Sequence, residues 1–155
     1  MKYQCAMLVV GDLAKTRKFY EEVLGLRVVM DFGANITFEG GFALQTKPSW
    51  SGLAQLPEAD IRPGGNDFEL YFEEEDLDRF LEHLRAFPGV EMVHPLAEYP
   101  WGQRVVRFYD PDRHIVEVGE SMETVIKGFL KKGLSPEEVA QRTMYPLEFV
   151  KHCME

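Results

Sequence analysis

The sequence repeats itself at an offset of 64 residues, and this repeat is the strongest constraint on its fold. In each copy an apolar stretch is followed by an Asp that can cap a helix. Apolar residues spaced three, four and seven apart then form one helix face. The matched positions include Asp12 with Asp76, Lys15 with Arg79, and Gly25 with Gly89. Since a capping residue, a helix face and a terminating glycine all agree at one offset, the sequence contains two copies of one module.

Each copy is predicted to fold as a strand, a helix and three further strands. The predicted strands are 3–10, 27–32, 35–39 and 42–46 in the first copy, and 68–72, 91–96, 103–109 and 115–118 in the second. The helices are expected to end at Gly25 and at Pro88-Gly89. Gly40-Gly41 and Asp110-Pro111-Asp112-Arg113 supply tight turns. We therefore predict an α+β fold of two βαβββ modules, with a curved mixed sheet around a cleft.

Two further segments lie outside the repeat. Residues 47–66 are rich in Pro and Gly and form a linker or a lid between modules 1–46 and 67–120. Residues 121–155 are predicted to form a tail of two or three short helices, with Ser135 as a cap and Pro136 at the first helical position. We expect this tail to cover an open edge or to make a dimer contact, and a partner-binding module is the alternative.

Charge and cysteine content exclude several classes of function. The 155 residues carry a net charge of -9, so nucleic acid and anionic membranes are poor partners. The tail resembles a helix-turn-helix, a motif that needs basic residues on its second helix to bind DNA. Before His152 the last helix of the tail has a single basic residue, Lys151, which argues against DNA binding. No apolar run approaches the roughly 18 residues of a spanning helix. Two distant cysteines, Cys5 and Cys153, fit a reducing cytoplasm.

Three segments carry a resemblance to a known family. Residues 7–13 (MLVVGDL), 24–26 (LGL) and 108–112 (FYDPD) resemble the vicinal oxygen chelate superfamily. That group includes glyoxalase I, extradiol dioxygenases, fosfomycin-resistance enzymes and bleomycin-binding proteins. The resemblance covers residues 3–120, with Arg113 where the family usually has Gly. It implies the glyoxalase/bleomycin-resistance fold and a homodimer.

The resemblance also implies a metal site, because enzymes of this superfamily chelate one divalent ion through the first and last strands of each module. By position, those roles fall to Cys5, Gln45, Glu69 and Glu117. The set contains no His, the common ligand of zinc, nickel and iron. Carboxylate and amide oxygens suit harder ions, whereas a thiolate prefers softer ones. We expect one divalent ion (Mn, Ni, Zn or Mg) or none.

Two functions follow from these alternatives. With a metal, the resemblance implies a lyase or isomerase in which Glu69 or Glu117 moves the proton. Without one, the chain is a sequestering protein that holds a small molecule in the cleft between the modules. A structural alternative is that Glu69 or Glu117 pairs with an arginine such as Arg104 or Arg107 on the neighbouring strand.

Aromatic residues supply the remaining candidates for ligand contact. Tyr99, Trp101 and Arg104 precede or begin a strand of the second module, and Trp50 lies in the linker. The rings could form an aromatic wall and Arg104 could hold an anionic group. Alternatively, Trp101 simply closes the end of the sheet. The four histidines are expected to be structural or exposed, and His114 is kept as a reserve ligand. They are His83, His94, His114 and His152.

Overall fold

A computed structural model describes residues 1–154, so Glu155, the last residue of the predicted tail, lies outside the described residues. The strands are β1 (Ala6–Val10), β2 (Val28–Asp31), β3 (Asn35–Phe38), β4 (Phe42–Thr46), β5 (Glu69–Glu74), β6 (Met92–Glu98), β7 (Arg104–Tyr109) and β8 (Ile115–Glu120). The helices are α1 (Leu13–Val23), α2 (Lys47–Ala54), α3 (Leu77–Leu84), α4 (Met122–Lys131), α5 (Pro136–Thr143) and α6 (Leu147–His152). A short 3-10 helix spans Glu58–Asp60.

The two modules have the same sheet topology. The strand orders are β1-β4-β3-β2 and β5-β8-β7-β6, in two open four-stranded sheets. In the first sheet β1 runs parallel to β4, and β3 is antiparallel to both β2 and β4. The predicted α+β fold of two βαβββ modules is confirmed, with two sheets in place of one continuous sheet. The first strand begins at Ala6, three residues later than predicted, and Tyr3 is exposed.

The chain forms two compact units that do not coincide with simple halves. The first unit comprises residues 1–69, 89–91 and 109–115. The second comprises 70–88, 92–108 and the chain from 116 onward, so the tail belongs to the second unit. The domain boundary predicted at residue 120 stays a prediction.

The core of the first unit forms where α1 packs on its sheet. Asp12 caps this helix by accepting a hydrogen bond from Lys15 N at 3.0 Å. After the helix Gly25 adopts a φ of +68°, which explains the need for glycine there. The Tyr20 ring is fully buried, with its centroid 5.5 Å from Phe38 and 5.0 Å from Phe42. The buried residues of α1 are Thr16, Tyr20 and Val23, spaced four and three apart, and this helix face forms the core.

A buried carboxylate fixes the turn between β7 and β8 to α1 within the first unit. Asp110 accepts hydrogen bonds from the Tyr20 hydroxyl at 3.0 Å and from His114 Nδ1 at 2.8 Å. Its other oxygen accepts from the backbone N–H groups of Asp112 and His114. Burial, and then the nearby charge of Asp110, raises the pKa of Tyr20 well above its usual value. The phenol therefore stays a donor to the carboxylate.

Asp112 adds a second link within the same unit. One carboxylate oxygen accepts from Gly11 N at 2.7 Å and the other from the Thr16 hydroxyl at 2.6 Å. Arg113 completes the turn with a φ of +67°. This is the position at which the superfamily usually has Gly, and here an arginine adopts the left-handed conformation. The predicted turn over 110–113 is confirmed.

In the second unit α3 ends earlier than the sequence predicts. Asp76 caps it as expected, accepting from Arg79 N at 3.1 Å. The helix stops at Leu84, and Pro88-Gly89 does not end it. Ala86 N and Phe87 N instead bond to carbonyls three residues back, so the chain tightens before the glycine is reached. The second helix is accordingly shorter than the first.

The linker and the tail contain more local structure than their compositions suggest. The Pro- and Gly-rich segment 47–66 includes the helix α2, since Pro48 is accommodated in its first turn. In the tail, Ser135 and Glu138 form a capping box at the start of α5. The tail helices enclose a core of buried residues: Met122, Val125, Ile126, Phe129, Val139, Val150 and Cys153. Within residues 1–154 no helix is long and apolar enough to cross a membrane.

The Asp110 network predicts a large stability loss on truncation. Asp110→Ala leaves the buried Tyr20 hydroxyl and two backbone N–H groups without their acceptor, and should cost about 3 kcal/mol or more. Asp12→Ala, which removes only a helix cap, should cost about 1 kcal/mol. Urea unfolding of both variants measures these free energies. Equal losses would contradict a structural role for the network beyond capping.

Candidate functional site

Several polar side chains of the second module lie on one face of the second unit's sheet. A Cβ atom at Gly119 would lie 2.8 Å from Gln103 Nε2 and 3.1 Å from Val105 Cγ1, so these three positions share a face. Side chains alternate along a strand, and Arg107 and Glu117 therefore lie on this same face. Phe108 lies on the opposite side, where its ring contacts Phe80 of α3. The helix covers one face and leaves the other for the site.

Arg107 is the centre of this polar face. It forms an ion pair with Glu117, whose side chain is 8% exposed. It also donates to the Tyr99 hydroxyl, and its guanidinium lies 5.6 Å from the centroid of the Tyr99 ring. A buried carboxylate needs such a partner to offset lost hydration. The hypothesis that a site carboxylate pairs with a neighbouring arginine is confirmed for Glu117 and Arg107.

The contacts of His94 determine which of its ring nitrogens carries the proton. Its Nε2 lies 3.1 Å from Arg107 Nη1, and its Nδ1 lies 2.7 Å from the carbonyl oxygen of Pro95. A guanidinium can only donate and a carbonyl can only accept. The proton therefore resides on Nδ1, and Nε2 accepts from Arg107. A histidine expected to be structural or exposed helps to orient the arginine.

A turn after β6 places two aromatic rings beside this cluster. Tyr99 and Trp101 stack with their centroids 4.6 Å apart and their planes 15° apart. Gly102 has a φ of +87°, and a Cβ atom there would lie 2.2 Å from the Phe129 ring, so only glycine fits. Trp101 also packs against the core of the tail helices. The alternative that it closes the end of the sheet has structural support.

Gln103 connects this turn to β5. Its Nε2 donates to the Tyr71 hydroxyl at 2.7 Å and to the Glu120 carbonyl at 2.9 Å, while its Oε1 accepts from Trp101 Nε1 at 3.1 Å. Burial is the main cause that raises the pKa of Tyr71. Every polar atom of the amide is thus engaged, which holds Trp101 and Tyr71 in place.

Next to these rings the second unit contains a cavity of about 380 Å³. This is within the volume range of small-molecule sites. Three aromatic rings and two methionines contribute to its wall, and none of the lining side chains is an acid, a lysine or an arginine. The lining residues are Tyr71, Trp101, Gln103, Met122, Thr143, Met144 and Tyr145. The tail helices therefore supply part of the wall of a site that begins on the sheet.

Two of the residues predicted to contact a ligand lie elsewhere. Arg104 faces away from Gln103 along β7 and forms ion pairs with Asp78 and Glu120 at 2.9 and 2.6 Å. These partners raise its pKa and already neutralise its charge. Trp50 lies half-buried in α2, in the first unit. The contact of Arg104 and Trp50 with a ligand stays a prediction.

Each of the four predicted metal ligands has its own surroundings in the structure. The Gln45 side chain accepts from Asn35 Nδ2 at 2.8 Å and donates to the Ser49 hydroxyl at 2.6 Å. Cys5, just before β1, is a half-buried free thiol, and Glu69 at the start of β5 is exposed. Glu117 is neutralised by Arg107. Within residues 1–154 no three His, Cys, Asp or Glu side chains form a group that could hold a metal ion. Gln45 and Glu117 are already engaged by neighbouring side chains, which does not favour a divalent cation at either residue.

The central role of Arg107 and the contributions of His94 and Gln103 were not predicted from the sequence. An alternation signal was present for two of them, because Gln103 and Arg107 lie four residues apart in the predicted strand 103–109, of which 104–109 forms β7. The contribution of the tail to the cavity carried no sequence signal, since Tyr71 and Tyr145 are far apart in the chain.

The comparison with known families agrees with this geometry. The glyoxalase-like domain family matches residues 3–123, which is most of the chain. The chain belongs to this family. The match includes both βαβββ modules and ends within α4, so most of the glyoxalase-like chain's helical tail lies beyond the matched region.

Three relatives extend this assignment. YraH of Bacillus subtilis, an uncharacterized protein, is 26% identical over 125 residues, which is 76% of this chain and 97% of YraH. A crystal structure of a protein of unknown function from Agrobacterium tumefaciens is 36% identical with a TM-score of 0.69, covering 78% of this chain and 94% of that one. Lactoylglutathione lyase from the same organism is 25% identical with a TM-score of 0.58 and the same coverages.

The buried ion pair predicts non-additive mutations. Arg107→Met leaves the Glu117 carboxylate buried without its partner and should cost about 3–5 kcal/mol of stability. Arg107→Met combined with Glu117→Leu removes both charges and should recover most of that loss. Urea unfolding of the wild type, both single variants and the double variant measures the coupling free energy. If the double variant is as unstable as the sum of the single variants, the pair is not coupled.

Proposed function

We propose that this glyoxalase-like protein binds a small, uncharged aromatic molecule in the cavity beside Trp101 and does so without a metal ion. The observation that carries this proposal is the cavity of about 380 Å³ with aromatic and methionine walls. A charged ligand would lose hydration there without gaining a charged partner from the lining. A flat neutral ring would instead exchange water contact for stacking and sulfur–aromatic contact.

The state of the predicted metal ligands supports the metal-free part of the proposal. A cation at Glu117 would compete with Arg107, which is fixed by Tyr99 and His94 as well. At Gln45 it would have to displace the Asn35 amide from the carbonyl oxygen or share that atom with it. The alternative function is the metal-dependent lyase or isomerase, with Glu69 or Glu117 moving the proton. The activity in the name of lactoylglutathione lyase motivates that alternative.

The proposal is tested with a charge series of naphthalene ligands. Trp50→Phe leaves Trp101 as the single tryptophan, so quenching of its fluorescence reports binding in the cavity. We expect 1-naphthol to bind more tightly than 1-naphthoate or 1-naphthylmethylamine. Met144→Glu, at an exposed position of the cavity wall, should weaken 1-naphthol binding roughly tenfold, since it removes apolar contact. Met154→Glu, also exposed but outside the wall, is the matched control.

Three outcomes would count against this function. Equal weakening by both methionine variants would show that binding is not in the cavity, and preference for a charged naphthalene would contradict the ligand class. Mass spectrometry after incubation with Mn, Ni, Zn and Mg tests the metal. Retention of one ion per chain, lost in Glu69→Gln/Glu117→Gln, would support the lyase or isomerase alternative.

A homodimer in the cytoplasm is part of the same proposal. The edge strands β2 and β6 expose apolar side chains, including Val29 and Met30 on the former and Val93 and Leu96 on the latter. Unpaired strand edges with apolar side chains are sites of association, and a second copy of the chain would bury them. The two free cysteines are consistent with a reducing compartment.

The dimer is tested by charge placed on the strand edges. Val29→Lys combined with Leu96→Lys should shift the chain from dimer to monomer in sedimentation equilibrium. Leu53→Lys, at a position on α2 that is even more exposed and belongs to neither edge strand, should leave the dimer unchanged. A wild-type monomer at tens of micromolar chain would contradict the proposed dimer.

A further inference from the structure

A second cavity lies wholly within the first unit, along the outer edge of β1. Its volume is about 420 Å³, which is sufficient for a small organic molecule. β1 is an edge strand of its sheet, so the cavity lies beside a strand that has a neighbour on one side only. The lining residues are Met7, Leu8, Val9, Val10, Gly11, Lys47, Ile61, Arg62, Pro63, Phe68, Asp112 and His114.

Two cations in this lining have no internal partner. Neither Lys47 nor Arg62 forms an ion pair or a side-chain hydrogen bond with another residue of the described chain, 1–154. Several other basic side chains are paired, such as Arg27 with Glu39 and Arg113 with Glu91. In a chain of net charge -9, this cavity has two basic side chains in its lining and one acidic side chain, Asp112.

The two other ionisable side chains of the lining, Asp112 and His114, are each held by hydrogen bonds within the first unit. Both carboxylate oxygens of Asp112 accept hydrogen bonds, from Gly11 N and from the Thr16 hydroxyl. His114 donates from Nδ1 to the buried Asp110. Asp112 is thus fixed by the turn and α1 and forms no ion pair with Lys47 or Arg62. The two cations remain the groups available for a ligand's charge.

The rest of the wall is apolar. Met7 and Val9 come from β1, Ile61 and Pro63 from the linker, and Phe68 precedes β5. Met7 and Phe68 are 41% and 45% exposed, which is unfavourable for large apolar side chains with nothing to cover them. A ligand with an apolar body would cover them.

We propose that this cavity binds a small organic acid, with its carboxylate held by Lys47 and Arg62 and its apolar body against Met7, Val9 and Phe68. The linker then acts as part of a binding site, since Arg62 and two apolar wall residues come from it. This site is separate from the neutral aromatic cavity of the second unit and does not depend on the function proposed for that cavity.

The test divides the ligand into its two chemical parts. Hexanoate carries both the acid and the apolar body, hexanamide keeps the body without the charge, and acetate keeps the acid alone. Isothermal titration of the wild-type chain should give the tightest binding for hexanoate. Hexanamide and acetate should each bind at least about tenfold more weakly, because each lacks one set of contacts.

Three variants locate the site. Lys47→Met and Arg62→Met should each weaken hexanoate binding about tenfold, the loss expected for one charge-assisted hydrogen bond. Lys131→Met changes the net charge equally but lies on α4 in the second unit, and should leave hexanoate binding unchanged. Both mutated cavity residues are at least partly exposed, so unaltered circular dichroism is expected for all three variants.

Several results would overturn the proposal. It fails if wild-type protein does not bind hexanoate at millimolar concentration, or if hexanamide binds as tightly as hexanoate. It also fails if Lys131→Met weakens binding as much as Lys47→Met, because the effect would then come from net charge. Since 1-naphthol binding is read from Trp101, either site can fail without the other.

Discussion

The Asp110 carboxylate is the interaction on which the first unit depends. It is buried, and each of its oxygens accepts two hydrogen bonds from Tyr20, Asp112 or His114. A carboxylate in such surroundings is stable only with several donors present, so its geometry fixes all of them at once. The turn between β7 and β8 is thereby held against α1. His114, which lines the first-unit cavity, owes its orientation to the same carboxylate.

The second unit also contains a buried carboxylate, and it is stabilised by an ion pair with an arginine. Glu117 lies at the position that the superfamily resemblance assigns to a metal ligand, and here an arginine supplies the compensating positive charge. A guanidinium occupies more space than a metal ion and has no vacant coordination position for a substrate oxygen. The ion pair with Arg107 therefore balances the Glu117 charge within the second unit itself. The binding that we propose for this unit depends on the neighbouring aromatic walls.

Interactions between residues close in the chain were predictable from the sequence. The caps at Asp12, Asp76 and Ser135 act over three residues, so each was visible as a local pattern. The end of α3 was not, because backbone bonds after Leu84 tighten the chain before Gly89. The pairing of Arg107 with Glu117 was one of several alternatives until strand register selected it. The cavities were beyond prediction, since Lys47 and His114, or Tyr71 and Tyr145, meet only through tertiary packing.

The position of Cys153 has a consequence for the dynamics of the tail. Its thiol lies in the core formed by α4, α5 and α6 and is 6% exposed. Burial raises its pKa, so little reactive thiolate forms while the helices remain packed. An alkylating reagent can therefore reach this sulfur only after α6 has separated from its neighbours. The rate at which Cys153 reacts therefore measures how often α6 separates from the core of the tail helices.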